Sequence, residues 1–465
     1  MESATGKRRV LVYGLGVSGE AAARHLVAEG FEVVAADDDG GEGPRQRAAE
    51  LGIELVAAPD RARLVALAAE VDEIVVTPGI PAGHGVFGLG PGVRLVGEVE
   101  LAWRRARATM VAVTGTNGKT TVTTLVAGML VASGVRAVAA GNIGAPLLDA
   151  VAGDAEVVVA EVSSFQLALT DTFRPAVAAW LNFSEDHLDW HPTLGDYRDA
   201  KAKVWANSGP GDIVVVNAED PVVLEASAGP AGRGATVVTF GLGGGDRLPD
   251  YRVEAGRLVG PQGIVLGLVE ELPRSLPHDL VDGLCAAAVA LAAGARADGC
   301  RRVLGAFRGL PHRVELVGEA RGVGFYDDSK ATTPGAVLAA LGGFDSAVLI
   351  AGGRNKGLDL SVLRSAAGHL RGVVAIGEAA PEVTAAFSGA CTVLQAASMA
   401  EAVGLAAGMA EQGDAVVLSP ACASYDWYTS YGARGDDFAR CVRALKRAPV
   451  PGDTTAPASA DGGER

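Results

Sequence analysis

Two glycine-rich turns, each lying between an apolar run and a helical pattern, constrain the fold of this chain more than any other feature. The first turn, Gly14-Leu-Gly16-Val-Ser-Gly19, follows the apolar run 10–13. The second, Gly115-Thr-Asn-Gly-Lys-Thr-Thr121, follows the apolar run 110–113. Strands that alternate with helices in this way build parallel sheets. The sequence therefore predicts an α/β fold with a Rossmann-like N-terminal domain and a central α/β domain of the phosphate-loop ATPase type.

The length of the chain and its later strand patterns predict a further domain. A chain of 465 residues has room for about three domains. New strand patterns at 347–351, 373–376 and 415–418 follow the Gly309-Leu-Pro311 turn. We therefore predict domains at 1–107, 108–309 and 310–448, the last of them a second Rossmann-like α/β domain. Residues 449–465 are rich in Pro, Gly, Thr and Ala without an apolar period, which predicts a disordered tail.

The charge and hydropathy of the chain exclude two classes of partner. Its 55 acidic and 40 basic residues give a net charge of -15, and no basic block could follow a nucleic-acid backbone. No segment approaches the roughly 18 apolar residues that a membrane span needs. The N-terminus lacks an apolar signal core, and the five cysteines lie far apart, at 285, 300, 391, 422 and 441. We expect a cytoplasmic, reduced protein without disulfides, without membrane insertion and without a nucleic-acid partner.

The first glycine turn has the spacing of a dinucleotide-binding fingerprint. A diphosphate can rest on the N-terminus of the following helix, at Gly14, Gly16, Val17 and Ser18. Asp37, at the end of the next strand pattern, is placed to accept a hydrogen bond from a ribose hydroxyl. A tight structural turn would look similar, and the fingerprint does not say which nucleotide is bound.

The second glycine turn carries the groups that hold a triphosphate. Backbone N–H groups can cradle the phosphates, Lys119 can reach the β and γ oxygens, and the Thr120 hydroxyl can hold Mg²⁺. The full phosphate-loop pattern has a glycine where Val113 stands, so this loop is shorter at its front. A purely structural turn does not need Gly-Lys-Thr-Thr at a helix start. The sequence therefore predicts ATP binding here.

Two further side chains follow strand patterns of the same predicted sheet. Glu161 ends the apolar run 157–160, and His187 lies shortly after the run 177–181. Because parallel strands bring their carboxyl ends to one edge, both residues are placed to reach Mg²⁺ at the phosphate loop. Such residues at strand ends are more often capping or surface groups, but the shared edge favours metal ligands.

At this point the sequence resembles the ATP-dependent Mur ligases of peptidoglycan synthesis, a family that includes folylpolyglutamate synthetase-like enzymes. The motifs that carry the resemblance occur in the family's order: Gly-Thr-Asn-Gly-Lys-Thr-Thr, Gly141-Asn142-Ile-Gly144, the Glu161 strand, Asp186-His187, Tyr197-Arg-Asp-Ala-Lys201, Pro311-His-Arg313, Asp328-Ser-Lys330-Ala-Thr332 and Gly352-Gly-Arg-Asn-Lys356. Glu161-Val-Ser-Ser-Phe-Gln-Leu and Ser419-Pro-Ala-Cys-Ala-Ser424-Tyr-Asp resemble the branch that adds D-glutamate. The Asp-Asn-Pro-Arg string of the branch that adds diaminopimelate does not occur in the sequence.

The resemblance implies a reaction with three small-molecule substrates: UDP-MurNAc-L-alanine, D-glutamate and ATP. ATP phosphorylates the carboxylate of the first, and the D-glutamate amine attacks the acyl phosphate. Two Mg²⁺ ions are implied, together with a carbamate formed from CO₂ on Lys201 that helps to hold the second ion. The three predicted domains would bind the UDP substrate, ATP and the incoming amino acid in that order, in a monomer. Without the resemblance, Lys201 would pass for an ordinary lysine on a helix surface.

The resemblance also implies a role for each matching residue. The catalytic residues are Lys119, Asn142, His187 and Lys201. The metal ligands are Thr120, Glu161, His187 and Lys201. The ATP site takes Gly115, Thr116, Asn117, Gly118, Lys119, Thr120, Thr121, Asp282, Arg313, Asp328 and Lys330. The UDP substrate is assigned to Gly14, Gly16, Val17, Ser18, Asp37 and Asn142, and D-glutamate to Thr332, Lys356, Ser424 and Tyr431.

Three departures from the family pattern affect these assignments. Tyr431 stands where relatives have phenylalanine. The chain has His278-Asp279-Leu-Val-Asp282 where the family has His-Asn-x-x-Asn, and an ionised aspartate cannot donate to adenine as an amide does. The acidic run Asp37-Asp38-Asp39 lacks the nearby arginine expected against the uracil or its phosphates.

Other functions remain open at the level of sequence. The first glycine turn alone fits a nicotinamide-dependent oxidoreductase, which leaves Gly-Lys-Thr-Thr unexplained. Another Mur-type or folylpolyglutamate-type amino acid ligase would use the same phosphate loop. A non-catalytic nucleotide switch would also bind ATP. The amide-forming ligase accounts for the largest number of motifs.

Overall fold

The computed structural model describes residues 8–90, 92–188, 190–244 and 248–447. The predicted tail, 449–465, lies outside the described residues. The chain divides into two compact units, Met1–Gly309 and Leu310–Arg465. Among the described residues, no helix is long and apolar enough to cross a membrane.

The first unit opens with a parallel sheet of strand order β3-β2-β1-β4-β5. Its strands are β1 (Arg9–Tyr13), β2 (Glu32–Asp37), β3 (Glu54–Ala57), β4 (Glu73–Val76) and β5 (Leu95–Val96). Its helices are α1 (Val17–Ala28), α2 (Glu42–Leu51), α3 (Arg61–Ala69) and α4 (Glu98–Trp103). The strand order reverses direction next to β1, where open α/β sheets bind their ligands. The predicted Rossmann-like sheet is confirmed.

A second parallel sheet of the same unit has strand order β11-β10-β9-β6-β8-β7. Its strands are β6 (Thr109–Thr114), β7 (Ala137–Gly141), β8 (Val157–Glu161), β9 (Val177–Trp180), β10 (Ile213–Asn217) and β11 (Thr236–Phe240). The helices in this part are α5 (Lys119–Ala132), α6 (Leu147–Ala152), α7 (Ser164–Ala168), α8 (Leu194–Ala202), α9 (Pro221–Ala226) and α10 (Ala228–Gly232). Strand β6 lies between β9 and β8, so its carboxyl end, which begins the phosphate loop, is flanked by the ends of both neighbours.

The last part of the first unit adds three short antiparallel strands that the sequence did not predict. These are β12 (Arg252–Glu254), β13 (Arg257–Val259) and β14 (Val265–Leu268), in that order in the sheet. Helices α11 (Pro277–Ala292) and α12 (Ala297–Ala306) follow. Helix α11 buries Leu284 and Val289 in the same apolar cluster as Val122 and Val126 of α5. This packing anchors the helix that begins at the phosphate loop.

The second unit is a six-stranded sheet of order β15-β16-β20-β17-β18-β19, in which β15 and β16 pair antiparallel and the other pairs are parallel. The strands are β15 (Glu315–Ala320), β16 (Val323–Asp327), β17 (Ala347–Gly352), β18 (Leu370–Ile376), β19 (Thr392–Ala396) and β20 (Ala415–Leu418). The helices are α13 (Pro334–Leu341), α14 (Ala380–Phe387), α15 (Met399–Met409) and α16 (Tyr431–Arg447). The turn between β15 and β16 has positive φ at Arg321 (55°) and Gly322 (74°).

The domain boundary predicted near residue 107 coincides with the step from the first sheet to the second. Both sheets nevertheless belong to one compact unit, and buried residues of both share one apolar cluster, among them Val12, Leu26, Ala112 and Val158. The division of 1–309 into two domains therefore stays a prediction. The boundary predicted at 309/310 coincides with the division between the two units.

Candidate active site

The first glycine turn is closed by contacts that only glycine permits. Gly14 has a φ of +88°, and a Cβ there would lie 2.2 Å from Thr77 Oγ1. A Cβ at Gly19 would lie 1.9 Å from the Gly14 carbonyl oxygen. A Cβ at Gly16, by contrast, would meet no atom of the described chain within 4 Å. The turn is therefore tight on its inner side and open at the N-terminus of α1, where Val17 is 69% exposed and an anion can approach.

The acidic run after β2 supports this turn. Asp37 accepts hydrogen bonds from the backbone N–H groups of Leu15 (2.6 Å) and Asp39 (2.8 Å). The Tyr13 hydroxyl donates to Asp38 at 2.6 Å and lies 3.0 Å from His84 Nε2. Asp37 thus shapes the turn itself, and each of its oxygens keeps a second lone pair for a ribose hydroxyl.

An arginine that sequence reasoning missed lies at the first glycine turn. Arg47 of α2 donates to the Leu15 carbonyl at 3.1 Å and pairs with Glu20 at 3.2 Å. It supplies a cation at the first glycine turn, where it is paired with Glu20. No sequence motif marked Arg47, because α2 lies far from the turn in sequence and reaches it only in the folded chain.

The phosphate loop is shaped by two glycines and one asparagine. Gly115 (φ +159°) and Gly118 (φ +81°) adopt backbone conformations that suit glycine. Asn182, after β9, accepts from Asn117 N at 2.8 Å, and its carbonyl accepts from Thr116 N at 3.1 Å. The sequence did not single out Asn182 for this role. A Cβ on Gly118 would lie 2.6 Å from Asp282 Oδ1, so the structure brings Asp282 against the loop.

Two lysine ammonium groups meet at the carbonyl oxygen of Gly115. Lys119 Nζ donates to it at 3.0 Å and to the Thr116 carbonyl at 2.9 Å. Lys201 Nζ donates to it at 2.7 Å and lies 4.7 Å from the centre of the Tyr197 ring. Lys201 is 1% exposed. Burial and the neighbouring Lys119 hold the pKa of Lys201 well below its usual range, against the opposing effect of Asp186.

Glu161 and Asn142 form the pair that best fits a metal ion. Glu161 ends β8 and is buried. Its Oε1 accepts from Asn142 Nδ2 at 2.8 Å. Its Oε2 is buried and meets no hydrogen-bond partner in the part of the chain that the structure describes. A buried carboxylate oxygen left in this way is costly unless a cation satisfies it, so the residues present fit Mg²⁺.

His187 lies at the same edge of the sheet, in a strained loop. Its φ is +56°, and its Nε2 lies 3.2 Å from Asp186 Oδ2. Its ring packs edge-on against Phe165, with ring centres 4.6 Å apart. In the described chain, three side chains of the His, Cys, Asp or Glu type lie close enough to share a metal ion: His312, Glu315 and Asp327. They belong to the second unit and not to the edge that carries His187. The predicted magnesium ligands therefore depend on Thr120 and on a modified Lys201 as well.

The two aspartates at the start of α11 have different surroundings. Asp279 accepts from Arg274 Nε at 2.9 Å, and His278 Nε2 lies 3.5 Å from the same carboxylate. Asp282 faces the phosphate loop instead. Asp279 stands where the family's Asn-x-x-Asn pattern has an asparagine, and the positive charge of Arg274 compensates its negative charge. Sequence reasoning did not find this arginine.

In the second unit, the predicted nucleotide residues gather at the carboxyl ends of β16 and β20. Asp328 Oδ2 accepts from Ser419 Oγ at 2.7 Å, and its Oδ1 accepts from Val314 N at 3.3 Å. Burial raises the pKa of Asp328 to about 7, although Ser419 and Arg313 act in the opposite direction. Lys330 Nζ lies 5.1 Å from the centre of the Tyr431 ring.

The residues predicted to bind D-glutamate come together only in part. Lys356 Nζ lies 3.4 Å from Thr332 Oγ1. Ser424 is buried in the loop after β20. Tyr431 is the first residue of α16, and its ring lies under the Lys330 ammonium. These groups offer an ammonium and hydroxyls at one edge of one sheet, which suits a ligand with carboxylates.

A buried arginine that the sequence did not mark organises these loops. Arg434 of α16 donates to Ser329 Oγ (2.9 Å), Ser329 O (2.8 Å), Cys422 O (3.1 Å) and Ala423 O (3.2 Å). Burial lowers the pKa of its guanidinium to about 10, so the group stays charged at neutral pH. Arg434 is one of four arginines in α16, and no sequence motif marked it as buried.

Comparisons with known proteins identify the family. The family description "Mur ligase middle domain" matches residues 113–257, and "Mur ligase, glutamate ligase domain" matches residues 312–422. A "UDP-N-acetylmuramoylalanine--D-glutamate ligase" of Desulfosudis oleivorans is 40% identical over 459 residues, which cover 95% of this chain and 97% of that protein. The chain belongs to the Mur ligase family. A protein of Frankia casuarinae with the same name is 42% identical, with 94% of each chain covered.

The solved structures of Mur ligases show the same fold. MurF from Acinetobacter baumannii superimposes with a TM-score of 0.59 at 17% identity, covering 94% of this chain and 93% of that one. Membership of the Mur ligase family makes this protein a ligase, which confirms the predicted family and enzyme class. It also excludes a nicotinamide-dependent oxidoreductase, the alternative function that the first glycine turn had left open.

Proposed function

We propose that this Mur ligase joins D-glutamate to UDP-MurNAc-L-alanine with hydrolysis of ATP to ADP and phosphate, as a cytoplasmic step of peptidoglycan precursor synthesis. The observation that carries the proposal is the buried Glu161 carboxylate, which holds Asn142 with one oxygen and leaves the other without a partner in the described chain. It lies at the edge of the sheet that also carries Gly-Lys-Thr-Thr. Such an edge suits metal-assisted phosphoryl transfer to a carboxylate.

The reaction has two steps. The substrate carboxylate attacks the γ-phosphorus of ATP, the bond to ADP breaks, and an acyl phosphate forms. The amine of D-glutamate then attacks the acyl carbon, loses a proton and expels phosphate. Lys119 and the loop amides stabilise the transferring charge, and Asn142 donates to the acyl oxygens. Thr120, Glu161 and His187 would hold Mg²⁺, which would supply positive charge against the phosphate oxygens.

Lys201 is proposed to carry the carbamate that completes the second metal site. A carbamate forms when a neutral amine attacks CO₂ and loses one proton, so the amine has to be uncharged. Burial beside Lys119 lowers the pKa of Lys201 and favours that neutral form. The product has a carboxylate-like end on the long lysine stem, which suits Mg²⁺.

The remaining groups are assigned by what they can bind. The open N-terminus of α1, with Gly16, Val17 and Ser18, takes the diphosphate of the UDP substrate, and Asp37 takes a ribose hydroxyl. In the second unit, Asp328 and Lys330 take the ribose and phosphates of ATP. Thr332, Lys356 and Ser424 take the carboxylates of D-glutamate.

The first test is ATP-dependent phosphate release with UDP-MurNAc-L-alanine and a choice of amines: D-glutamate, L-glutamate, L-lysine and diaminopimelate. We expect release with D-glutamate alone. Release with another amine would keep the ligase chemistry and reject the assignments of Lys356 and Ser424. No release with any of the four would reject the proposal and favour a nucleotide switch.

The carbamate is tested by Lys201→Ala. We expect turnover to fall by about 100-fold or more, because the second metal loses a ligand, and added formate or acetate to restore part of it. Lys203→Ala is the matched control. Lys203 lies two residues further on and donates to the Ala168 carbonyl at 2.6 Å, outside the phosphate loop. Unchanged turnover in Lys201→Ala, or equal rescue of both variants by acetate, would contradict the carbamate role.

A further inference from the structure

The loop after β4, residues 77–88, touches the turn at the end of β1. We name it the bridging loop. A Cβ on Gly14 would lie 2.2 Å from Thr77 Oγ1 and 3.2 Å from Ile80 Cδ1, so these two side chains cover the first glycine turn. Further along the loop, His84 Nε2 lies 3.0 Å from the Tyr13 hydroxyl. The bridging loop is therefore fixed to the first sheet at both Ile80 and His84.

The bridging loop also touches the second sheet, through one tryptophan. Trp190 Nε1 donates to the Ile80 carbonyl at 3.1 Å. The Trp190 ring meets Phe87 of the bridging loop edge-on, with ring centres 6.0 Å apart, and Phe165 of α7 at 5.0 Å. Phe165 in turn packs against His187 at 4.6 Å. A continuous series of contacts thus runs from the first glycine turn to the edge that carries His187.

We infer that Trp190 is a positioning residue that, through the bridging loop, sets the first glycine turn at a fixed distance from the edge of the second sheet that carries His187. This inference rests on the proposed function, in which the UDP substrate has its diphosphate at the first turn and its reacting carboxylate near Asn142. The two ends of one substrate are then held by two different sheets. An error of 1 Å in such an arrangement can lower the rate about 100-fold.

The contacts of Trp190 suit this role better than general packing. The indole N–H donates to the Ile80 carbonyl while the ring packs between Phe87 of the bridging loop and Phe165 of α7, so the side chain fixes the direction of the loop as well as filling space. The sheets themselves are joined elsewhere, because the buried Glu98 at the start of α4 accepts from Leu147 N of α6 at 2.5 Å. Loss of the indole therefore loosens the bridging loop while the two sheets stay packed.

The test uses the full-length protein with Trp190→Ala and Trp190→Phe. With ATP and D-glutamate saturating, we expect Trp190→Ala to raise the KM for UDP-MurNAc-L-alanine and to lower kcat, each about tenfold. The KM for ATP should change less than about twofold, because Trp190 does not approach the phosphate loop in the contacts that the structure describes. Trp190→Phe keeps the ring packing and loses the donor, so its effect should be intermediate.

Trp103→Phe is the matched control. Trp103 lies on α4 and meets Phe173 edge-on with ring centres 6.0 Å apart, away from the bridging loop. Its kinetic constants should match those of the wild type. An equal rise in the KM for ATP, or unchanged constants in both Trp190 variants, would overturn the inference. If Trp190→Ala does not fold, Trp190→Phe decides alone.

A titration with UDP separates this inference from the proposed function. We expect Trp190→Ala to bind UDP at least threefold more weakly than the wild type by calorimetry, about 0.7 kcal/mol. Unchanged UDP binding would overturn the role of Trp190 even in an active enzyme. A wild type that binds UDP but makes no product would reject the proposed substrates, while weaker UDP binding in the variant would still support the bridging loop.

Discussion

At the scale of single residues, burial decides the charge of Asp328. Its pKa of about 7 in the folded chain stands against about 3.9 for an unfolded aspartate. Between about pH 4 and 7 the folded state binds the proton more tightly, so stability falls as pH rises through that window and stays low above it. The effect is at most about 4 kcal/mol. Asp328→Asn keeps the contacts with Val314 and Ser419 and should reduce this dependence in urea unfolding between pH 4.5 and 8, with the part due to Asp327, whose pKa burial also raises, left in place.

Glu319→Gln is the matched control for that experiment. Glu319 is an exposed carboxylate on β15 of the same unit. The free energy of unfolding of this variant should therefore depend on pH as it does in the wild type. If the free energy of unfolding of Asp328→Asn depends on pH as steeply as that of the wild type, the role assigned to Asp328 is wrong.

Glu161 offers a second prediction at this scale, in which activity and stability move in opposite directions. Glu161→Gln removes the charge that the proposed Mg²⁺ needs, so turnover should fall about 100-fold or more. The free energy of unfolding without metal should stay equal or rise, because an unpartnered carboxylate oxygen is no longer buried. Metal-free urea unfolding and phosphate release measure the two effects.

Glu156→Gln, at the exposed N-terminal side of β8, should leave turnover unchanged. A Glu161→Gln protein that is both inactive and clearly less stable would show a structural carboxylate rather than a metal ligand.

The residues that the sequence did predict share one property. Glu161, Asn142 and Lys201 lie in motifs, and the structure brings the first two into contact and the third onto the phosphate loop. Arg434 and Trp190 act through contacts with backbone carbonyls of distant loops. No local pattern encodes such a contact, because it depends on where two separate loops end.

At the scale of elements, α16 fixes the loops that follow β16 and β20. Its Arg434 donates to carbonyl oxygens of both loops, and a Cβ on the neighbouring Gly435 would lie 2.3 Å from Asp327 Oδ2 and from His312 Nδ1. We expect Arg434→Met to lower the free energy of unfolding of the second unit by about 3 kcal/mol or more, because buried carbonyls lose their donors. Thermal unfolding monitored by circular dichroism measures this loss.

Arg434→Lys separates charge from geometry in the same helix. It keeps the charge and loses the planar fork that reaches both loops, so we expect at least half of the Arg434→Met effect. Arg440→Lys, on an exposed turn of α16 where the guanidinium pairs with Asp437, is the control and should change stability by less than about 0.5 kcal/mol. Full stability in Arg434→Lys would assign the effect to charge alone.

The elements themselves show which patterns predict structure. Uninterrupted apolar runs such as 157–160 and 415–418 marked buried parallel strands within about a residue of β8 and β20. The antiparallel strands β12 to β14 were not predicted because charged residues or a glycine interrupt their apolar runs, which are Arg-Val-Glu, Arg-Leu-Val and Val-Leu-Gly-Leu. Their pairing, rather than a local apolar period, defines them.

At the scale of the whole molecule, strand order is the feature that the sequence did not predict. Alternation of strands and helices indicates parallel sheets, but neither order, β3-β2-β1-β4-β5 nor β11-β10-β9-β6-β8-β7, follows from local patterns. The second order matters for function, because it places β6 between β9 and β8 and so brings Asn182 and Glu161 to the phosphate loop.

The division at 309/310 leads to a prediction about folding units. Residues 1–309 and 310–465 each have their own buried clusters, so the two fragments expressed separately should each unfold cooperatively in urea. The loss of stability between pH 4 and 7 should be larger in the second fragment, because Asp328 lies there, while the first fragment carries Glu98, whose pKa burial also raises. The first fragment should bind ADP with Mg²⁺ and form no amide, because the groups assigned to D-glutamate lie in the second. A second fragment that stays unfolded would show that its sheet needs residues before 310. If the free energy of unfolding of the first fragment fell equally steeply with pH, that fall could not be assigned to Asp328.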